Sequence, residues 1–407
     1  MNPAVPNSDQ PTGRLASLDV LRGFDMFWIL GADAVVLALG AMSASPLVKA
    51  LAAQMEHKPW AGFAFYDLIF PLFIFISGVS LVFALPKTLA TLGRAGAIRR
   101  ILLRVTLLFL LGVLYNGGLA QPWPEVRMVG VLQRIAVAYA VTGVLFCCFR
   151  LRTCLTVGAF LLVGYWALLT FVPIRNIALT REALAASLGT TKPTAEQVAG
   201  LYAATTEKVV GGYERGLNLA NHLDYEWLPG GKYQRYWDPE GILSTLPAVA
   251  TCLLGLLAGH VLKRSDWSPR QKVRWLVIAG AMSLAAGWTW HLQFPVVKDL
   301  WSSSFVLVAG GWSFWLFGLM YYVVDIREWR GWCAPFQWIG MNPITLYLAT
   351  SLVGFGDIAR KLMGGSVAAW LDGRMAGLGE LSLALTSLGL LLLLARFLYQ
   401  RKIFIRV

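Results

Sequence analysis

The side chains with which this chain could do chemistry are few and set among long apolar runs. His57 stands just before one such run and is followed, one turn into the helix that the run predicts, by Asp67. Histidine is the side chain best suited to proton transfer near neutral pH. An Asp–His couple is a base with its orienting group, although by spacing alone a lone interfacial histidine also reads as a solvated or packing residue. The other histidines, His222, His260 and His291, sit in a loop or at helix ends. A second concentration of charge precedes His57: Asp19, Arg22, Asp25 and Asp33. At 100° per residue these four fall within an arc of about 120°, and Asp19 to Asp33 covers about 21 Å of helix axis. An ionisable group at the centre of a span costs on the order of 3 kcal/mol. The stripe must therefore face a bundle interior or a water-filled cavity. Arg22 can pair with Asp19 or Asp25, whereas Asp33 has no basic residue within two turns.

Further polar groups are Gln133 and Arg134, Asp238 and Glu240, and Lys298 with Ser302 to Ser304, while Arg104 and Asn342 lie on the opposite half of their spans. Nothing matches a zinc site, a phosphate-binding loop or a nucleophile elbow. The five cysteines lack CxxC spacing and read as small core residues, so no metal is expected.

These residues need elements to position them. Of 407 residues, 57% are hydrophobic and only 14% charged, with a net charge of +13. Such a balance excludes a disordered chain and argues against a soluble enzyme. A bilayer span needs about 20 mostly apolar residues, and ten candidates occur: 15–40, 63–85, 98–116, 129–149, 153–173, 242–262, 274–292, 302–324, 336–353 and 380–399. The segment 357–376 is too polar to span and reads as an interfacial helix or loop; counted as a span it would make eleven. The expected fold is an all-α polytopic bundle, a single domain over 1–407 with one large outer loop at 174–241.

The basic residues supply the orientation. Lys87, Arg94, Arg99 and Arg100 follow the second span, Arg150 and Arg152 the fourth, and Lys263, Arg264, Arg270, Lys272 and Arg274 the sixth. Arg327 and Arg330 follow the eighth, and Arg401, Lys402 and Arg406 the last. In a ten-span arrangement all fall on one side, which the positive-inside rule makes cytoplasmic, together with both termini. The charge excess is thus topological, and no nucleic-acid partner is expected because no basic domain lies outside the spans. Residues 1–13 lack the basic-then-apolar order of a signal peptide.

Six motifs occur in order: SLDVLRGFDMFWI at 17–29, HKPWAGFAFYDLIFPLFIFISG at 57–78, GVLQRIAVAY at 130–139, WDPEGILST at 237–245, KDLWSSSFV at 298–306 and GMNPITLY at 340–347. Together they resemble the heparan-α-glucosaminide N-acetyltransferase family, and the chain looks like a bacterial, NagX-like member. The resemblance runs from about residue 15 to the last span. It implies a polytopic bundle in the bacterial inner membrane, a homodimer, taking acetyl from cytosolic acetyl-CoA to the amine of a glucosamine-type sugar on the far side. His57 matches the family's catalytic histidine. Asp33 stands where the family has an asparagine, and as a carboxylate it could accept a proton or stabilise an imidazolium. The animal enzyme's large N-terminal luminal domain has no counterpart, which makes a small amino sugar or cell-envelope sugar the expected acceptor.

On this resemblance His57, oriented by Asp33, deprotonates the amine or itself carries the acetyl group. Arg22 and Arg104, with Asn342 beside them, would hold the cofactor's charged end. Asp67, Gln133, Arg134, Asp238, Glu240, Lys298 and Trp301 are the candidates on the acceptor side. For Arg134, Asp238, Lys298 and Glu240 an ion pair fixing helix ends explains the residues equally well. The rival reading is a sugar transporter, to which ten spans, mid-depth polar groups and abundant Trp and Tyr also fit. The inverted repeat common in transporters is not evident.

Overall fold

The computed structural model describes residues 15–404. Arg406 and the polar segment 1–13 lie outside the described residues. The described chain is helical almost throughout. It opens with α1 (Ala16–Phe27), a π-helical turn (Trp28–Ala32), α2 (Asp33–Met42) and α3 (Pro46–Ala53). Then come α4 (Phe65–Tyr115), α5 (Val131–Cys148) and α6 (Leu151–Phe171). A long connection follows, with α7 (Arg181–Leu188), α8 (Ala195–Ala204) and α9 (Leu219–Trp227). Next are α10 (Thr245–Lys263), α11 (Pro269–Trp290), α12 (Ser303–Met320), α13 (Ala334–Gly340) and α14 (Pro343–Leu352). The short α15 (Phe355–Met363) and α16 (Ser366–Asp372) lead to α17 (Leu378–Gln400).

Seven helices among the described residues are long and apolar enough to cross a membrane. One of them, α4, has 51 residues. Straight, it would be about 77 Å long, more than twice the hydrocarbon thickness. It breaks at Gly93, where φ is 67°, a left-handed conformation that glycine adopts without steric cost. The two spans expected at 63–85 and 98–116 are thus the arms of one bent helix. The span expected at 274–292 falls mostly in α11, which is not one of the seven: its first turns carry Arg270, Lys272 and Arg274. The ninth is interrupted: Asn342 leaves the helical region with φ −135°, and Pro343 restarts α14. Neither piece is long enough to cross alone, since Pro343 has no amide hydrogen to bond back into α13. Residues 357–376, expected as an interfacial helix or loop, form most of α15 and α16.

The bundle is sealed by glycines. A Cβ on Gly78 would strike the Cys252 carbonyl and one on Gly255 the Phe75 carbonyl, so α4 and α10 approach backbone to backbone. Gly23 against Phe336, and Gly340 against Asp19, do the same for α1 and α13.

The connection 174–241 has a core of its own. Ile177, Leu179, Leu184, Val198, Tyr202, Tyr236 and Trp237 pack together, and β1 (Ile174–Arg175) pairs antiparallel with β2 (Lys208–Val209). Thr194 caps α8 by accepting from the Gln197 amide through Oγ1, and its own amide donates back to Gln197 Oε1. The result is a packed cap where the sequence suggests an irregular loop.

Candidate functional site

Three further connections meet this cap. Gly62 N donates to Val296 O at 2.8 Å and Ala61 bridges to Val297, which joins the segment before α4 to the segment before α12. Trp60 Nε1 donates to Tyr213 O at 2.8 Å, tying the same segment to the cap. Arg127, before α5, bridges to Gly230. Residues far apart in sequence are thereby drawn around a cavity of about 380 Å³. Its polar end is formed by His57, Lys298, Asp299, Glu240, Arg127, Asn116 and Tyr233. Its apolar walls come from Met26, Ile29, Ile69, Phe70, Phe73, Leu132, Ile135 and Ile344, with the stacked rings of Tyr115 and Tyr347 4.2 Å apart.

His57 is half-exposed at this polar end. Its Nδ1 lies 2.8 Å from Oδ1 of Asp67, which is 1% exposed. The other carboxylate oxygen of Asp67 accepts from the amide of Ala64 at 2.9 Å, in the first turn of α4, and from Lys58 N at 3.4 Å. The carboxylate is therefore fixed by backbone before it meets the imidazole. An acceptor-only carboxylate requires the proton on Nδ1 and leaves Nε2 as the ring's acceptor, which Lys298 occupies. Lys298 Nζ stands 2.9 Å from Nε2 and 3.0 Å from Nδ1, and 3.9 Å from Asp67 Oδ1. Burial pushes the Lys298 amine below the usual lysine range, against the pull of Asp67, Asp299 and Glu240.

The carboxylate on His57 is thus Asp67, whereas the expected orienting group was Asp33. Asp33 lies beyond the π-helical turn, where Gly31 takes φ 113°. The wider turn rotates α2 relative to α1 and interrupts the polar stripe expected from Asp19 to Asp33. Asp33 instead lies close enough to the Tyr66 hydroxyl for its charge to act on it, and the Tyr66 ring packs on the His57 imidazole at 4.8 Å. It acts on the histidine at one remove. Upstream, Arg22 pairs with Asp19 at 3.2 Å and donates to Ser80 Oγ at 2.9 Å. Asp25 is fully buried, and its oxygens have no hydrogen-bond partner among the described residues.

On the same cavity lining, Arg127 makes a two-pronged bond to Asp238, Nε at 2.8 Å and NH2 at 2.7 Å, and also reaches Glu240 at 2.7 Å. Burial acts to raise the Asp238 pKa, but the hydrogen bonds and charge of Arg127 outweigh it and hold the carboxyl below its usual range. Burial keeps Glu240 above its usual range despite Arg134 and Arg127.

Of the residues expected to hold substrate, His57, Glu240 and Lys298 line the cavity, and Asp67 and Asp238 stand behind them. Arg134 is buried, donates to Pro239 O at 2.6 Å and to Ser244, and lies 4.7 Å over the Trp301 ring. Trp301 is 1% exposed and donates to Thr251. These two brace the walls rather than face the space. Gln133 is buried against Gly112, and its amide has no partner among the described residues. Arg22, Arg104 and Asn342 do not line the cavity. Arg104 lies over the Tyr139 ring at 4.5 Å, with Nε unpartnered among the described residues. Asn342 donates to Ile403 O at 2.9 Å. The remaining histidines are structural: His222 meets Tyr202 and Ile177 O, His260 meets Leu256 O, and His291 accepts from Val296 N.

Sequence reasoning did not single out Arg127, Tyr66 or Asp299. Nothing in local pattern marks Arg127. Asp299 directly follows Lys298 in the KDLWSSSFV motif, and that adjacency was a usable signal. Among the described residues no group of His, Cys, Asp and Glu has the arrangement of a metal site.

Comparison with known proteins places this geometry in context. Residues 14–194 match the model of the heparan-alpha-glucosaminide N-acetyltransferase catalytic region. The human heparan-alpha-glucosaminide N-acetyltransferase is 29% identical over 330 residues, covering 72% of this chain and 48% of that protein. The mouse protein of the same name is 29% identical over 328 residues with the same shares. The chain thus spans about half the length of the curated relatives it matches.

Proposed function

We propose, from the match of residues 14–194 to the catalytic region of the heparan-α-glucosaminide N-acetyltransferase family, that the chain is a membrane-embedded acetyltransferase of that family. It moves acetyl from acetyl-CoA to the amine of a glucosamine-type sugar. The observation that carries the reading is the His57–Asp67 couple at the polar end of a mostly apolar cavity. The apolar walls suit the acetyl group and the uncharged arm of the donor, and the polar end suits a sugar.

Asp67 holds the proton on Nδ1, so Nε2 is the basic nitrogen, and it serves the attacking amine once Lys298 moves from it to the thioester carbonyl oxygen. The amine nitrogen bonds to the thioester carbonyl carbon, and Nε2 takes the proton that the nitrogen sheds. The carbonyl oxygen becomes an oxyanion, which the Lys298 ammonium beside Nε2 is positioned to stabilise. The C–S bond then breaks, and the imidazolium returns its proton to the departing thiolate. Asp67 stabilises the imidazolium between these steps. In the two-step route Nε2 itself takes the acetyl group first; rapid quench of a single turnover separates the routes by the presence or absence of acetyl-imidazole.

Arg22 and Arg104 remain the cations proposed for the phosphates of the donor. The unpartnered Nε of Arg104 is a donor that an anion would satisfy. The alternation of basic connections supports an inner-membrane protein with both termini cytoplasmic. Acetyl-CoA would then enter from the cytosol and the sugar from the side that carries the 174–241 cap. A homodimer rests on the family resemblance alone.

The test is CoA release by purified protein given acetyl-CoA and glucosamine. His57→Ala should lose 10²- to 10⁴-fold in turnover, roughly the worth of a general base. Full turnover by this variant would overturn the reading.

A further inference from the structure

An amino-sugar acceptor carries a chemical requirement that His57 alone does not meet. Near neutral pH its amine is largely an ammonium ion, with no lone pair for attack. Forming the amide removes two protons from that nitrogen, one to expose the lone pair and one after the C–N bond forms. His57 Nε2 takes the second and delivers it to the thiolate. The first needs another acceptor in the same space.

We propose, resting on the acetyltransferase reading above, that Asp299 binds the acceptor's ammonium group and takes this first proton, and so selects a primary amine over a hydroxyl. Asp299 lines the cavity with His57, Lys298 and Glu240. Its neighbouring carboxylates are engaged: Asp67 by His57 and Ala64, Asp238 and Glu240 by Arg127, and Asp224 by the amides of Ile242 and Asp238. No side chain or amide among the described residues hydrogen-bonds Asp299. Lys298, adjacent in sequence, places its ammonium on His57 instead. Asp299 is half-buried, and its carboxylate borders the cavity without a hydrogen-bonded side chain or amide on it. A cation entering the cavity supplies both the charge and the three N–H donors that this carboxylate lacks.

The groups facing it are Lys298, Arg215, His57 and Asp67, and burial outweighs the attraction of the three basic ones, so Asp299 holds a proton more readily than an ordinary aspartate. That suits a transient acceptor. The balance is one ammonium and one thioester giving one amide, one thiol and one proton; Asp299 passes that proton to solvent. A hydroxyl acceptor has a single proton to lose and offers no positive charge, so Asp299 would add nothing to its binding.

The experiment is steady-state kinetics of the full chain in detergent with acetyl-CoA and glucosamine at about pH 6 and about pH 9, either side of an amine titrating near about 8. Asp299→Asn should raise the KM for glucosamine about 10- to 100-fold at the lower pH, the worth of a charged hydrogen bond. The deficit should shrink at the higher pH, where the free amine needs no carboxylate, and Asp299→Glu should recover most of the affinity. An unchanged KM, or an equal rise at both pH values, overturns the inference. As a second measurement on the wild type, glucosamine should compete for the site at least tenfold better than glucose at about pH 6. Equal competition also overturns it. His57→Ala separates the two layers: an inactive His57→Ala with an unaffected Asp299→Asn refutes the ammonium site alone, while an active His57→Ala refutes the acetyltransferase reading beneath it.

Discussion

Asp67 accepts the hydrogen bond of His57 Nδ1 at 2.8 Å while its second oxygen is held by the Ala64 amide at 2.9 Å. One carboxylate thus ends the loop that carries the histidine, starts the 51-residue helix α4, and fixes the tautomer of the imidazole. Asp67→Asn keeps the shape but can present an amide N–H to Nδ1, which favours the wrong tautomer. Turnover should fall 10²- to 10⁴-fold with the KM for both substrates nearly unmoved. Steady-state rates check this, and a loss under about threefold would remove Asp67 from the orienting role.

Asp33 acts on Tyr66, whose ring packs on His57. Asp33→Asn should therefore cost less than about tenfold in turnover, well below Asp67→Asn. Tyr66→Phe, which keeps the ring on the imidazole and removes the hydroxyl, should match Asp33→Asn. A double variant no worse than either single one would show that the two residues act as one unit.

Arg127 joins the segment before α5 to Asp238 and Glu240. Arg127→Lys keeps the charge but cannot form the two-pronged bond. Thermal unfolding should report a loss of about 2–3 kcal/mol, the low end for a broken buried pair because Arg127 keeps some solvent contact. On the proposed reaction, the KM for glucosamine should rise as the cavity wall loosens.

Asp224 carries a pH dependence of stability. Burial pushes its carboxyl up to about 7, against about 3.9 in the unfolded chain. Between these values the folded state retains a proton that the unfolded state has released. The unfolding free energy therefore decreases as pH rises from about 4 to about 7, by at most about 4 kcal/mol. The melting temperature should drop between pH 5 and pH 8. Asp224→Asn should flatten that slope, although it starts from a lower baseline because one of the two amides held by Asp224 loses its acceptor. A slope unaltered in the variant would assign the pH dependence elsewhere.

Gly255→Ala should prevent accumulation of folded protein, since its Cβ would press on the Phe75 carbonyl and backbone cannot yield as a side-chain end can. Gly389→Ala, where an added Cβ would meet no neighbouring atom within 4 Å, should be silent. Fluorescence-detected gel filtration of the two variants compares them directly.

Much of this molecule is local, and local properties are legible in sequence. Hydropathy summed over about 20 residues identified the long helices, because each must satisfy its own backbone and shield it from lipid. His57 and the nearby Asp67 were visible as a couple in one motif. The bend of α4 at Gly93 and the interruption at Asn342 were less visible, because hydropathy does not register a change of backbone angle within or between apolar runs.

The sequence by itself determined that this is a bundle of apolar helices bearing a few costly charges, and that its motifs resemble one acetyltransferase family. Only the tertiary structure decided which charges meet. Gly31 and its π-helical turn carry Asp33 away from the α1 stripe, and paired connections carry Lys298 to His57 across 241 positions in the chain. Arg127 finds Asp238 across 111 positions. Helical periodicity fixes a residue's direction over a few turns, whereas these contacts depend on how separate connections pack against one another.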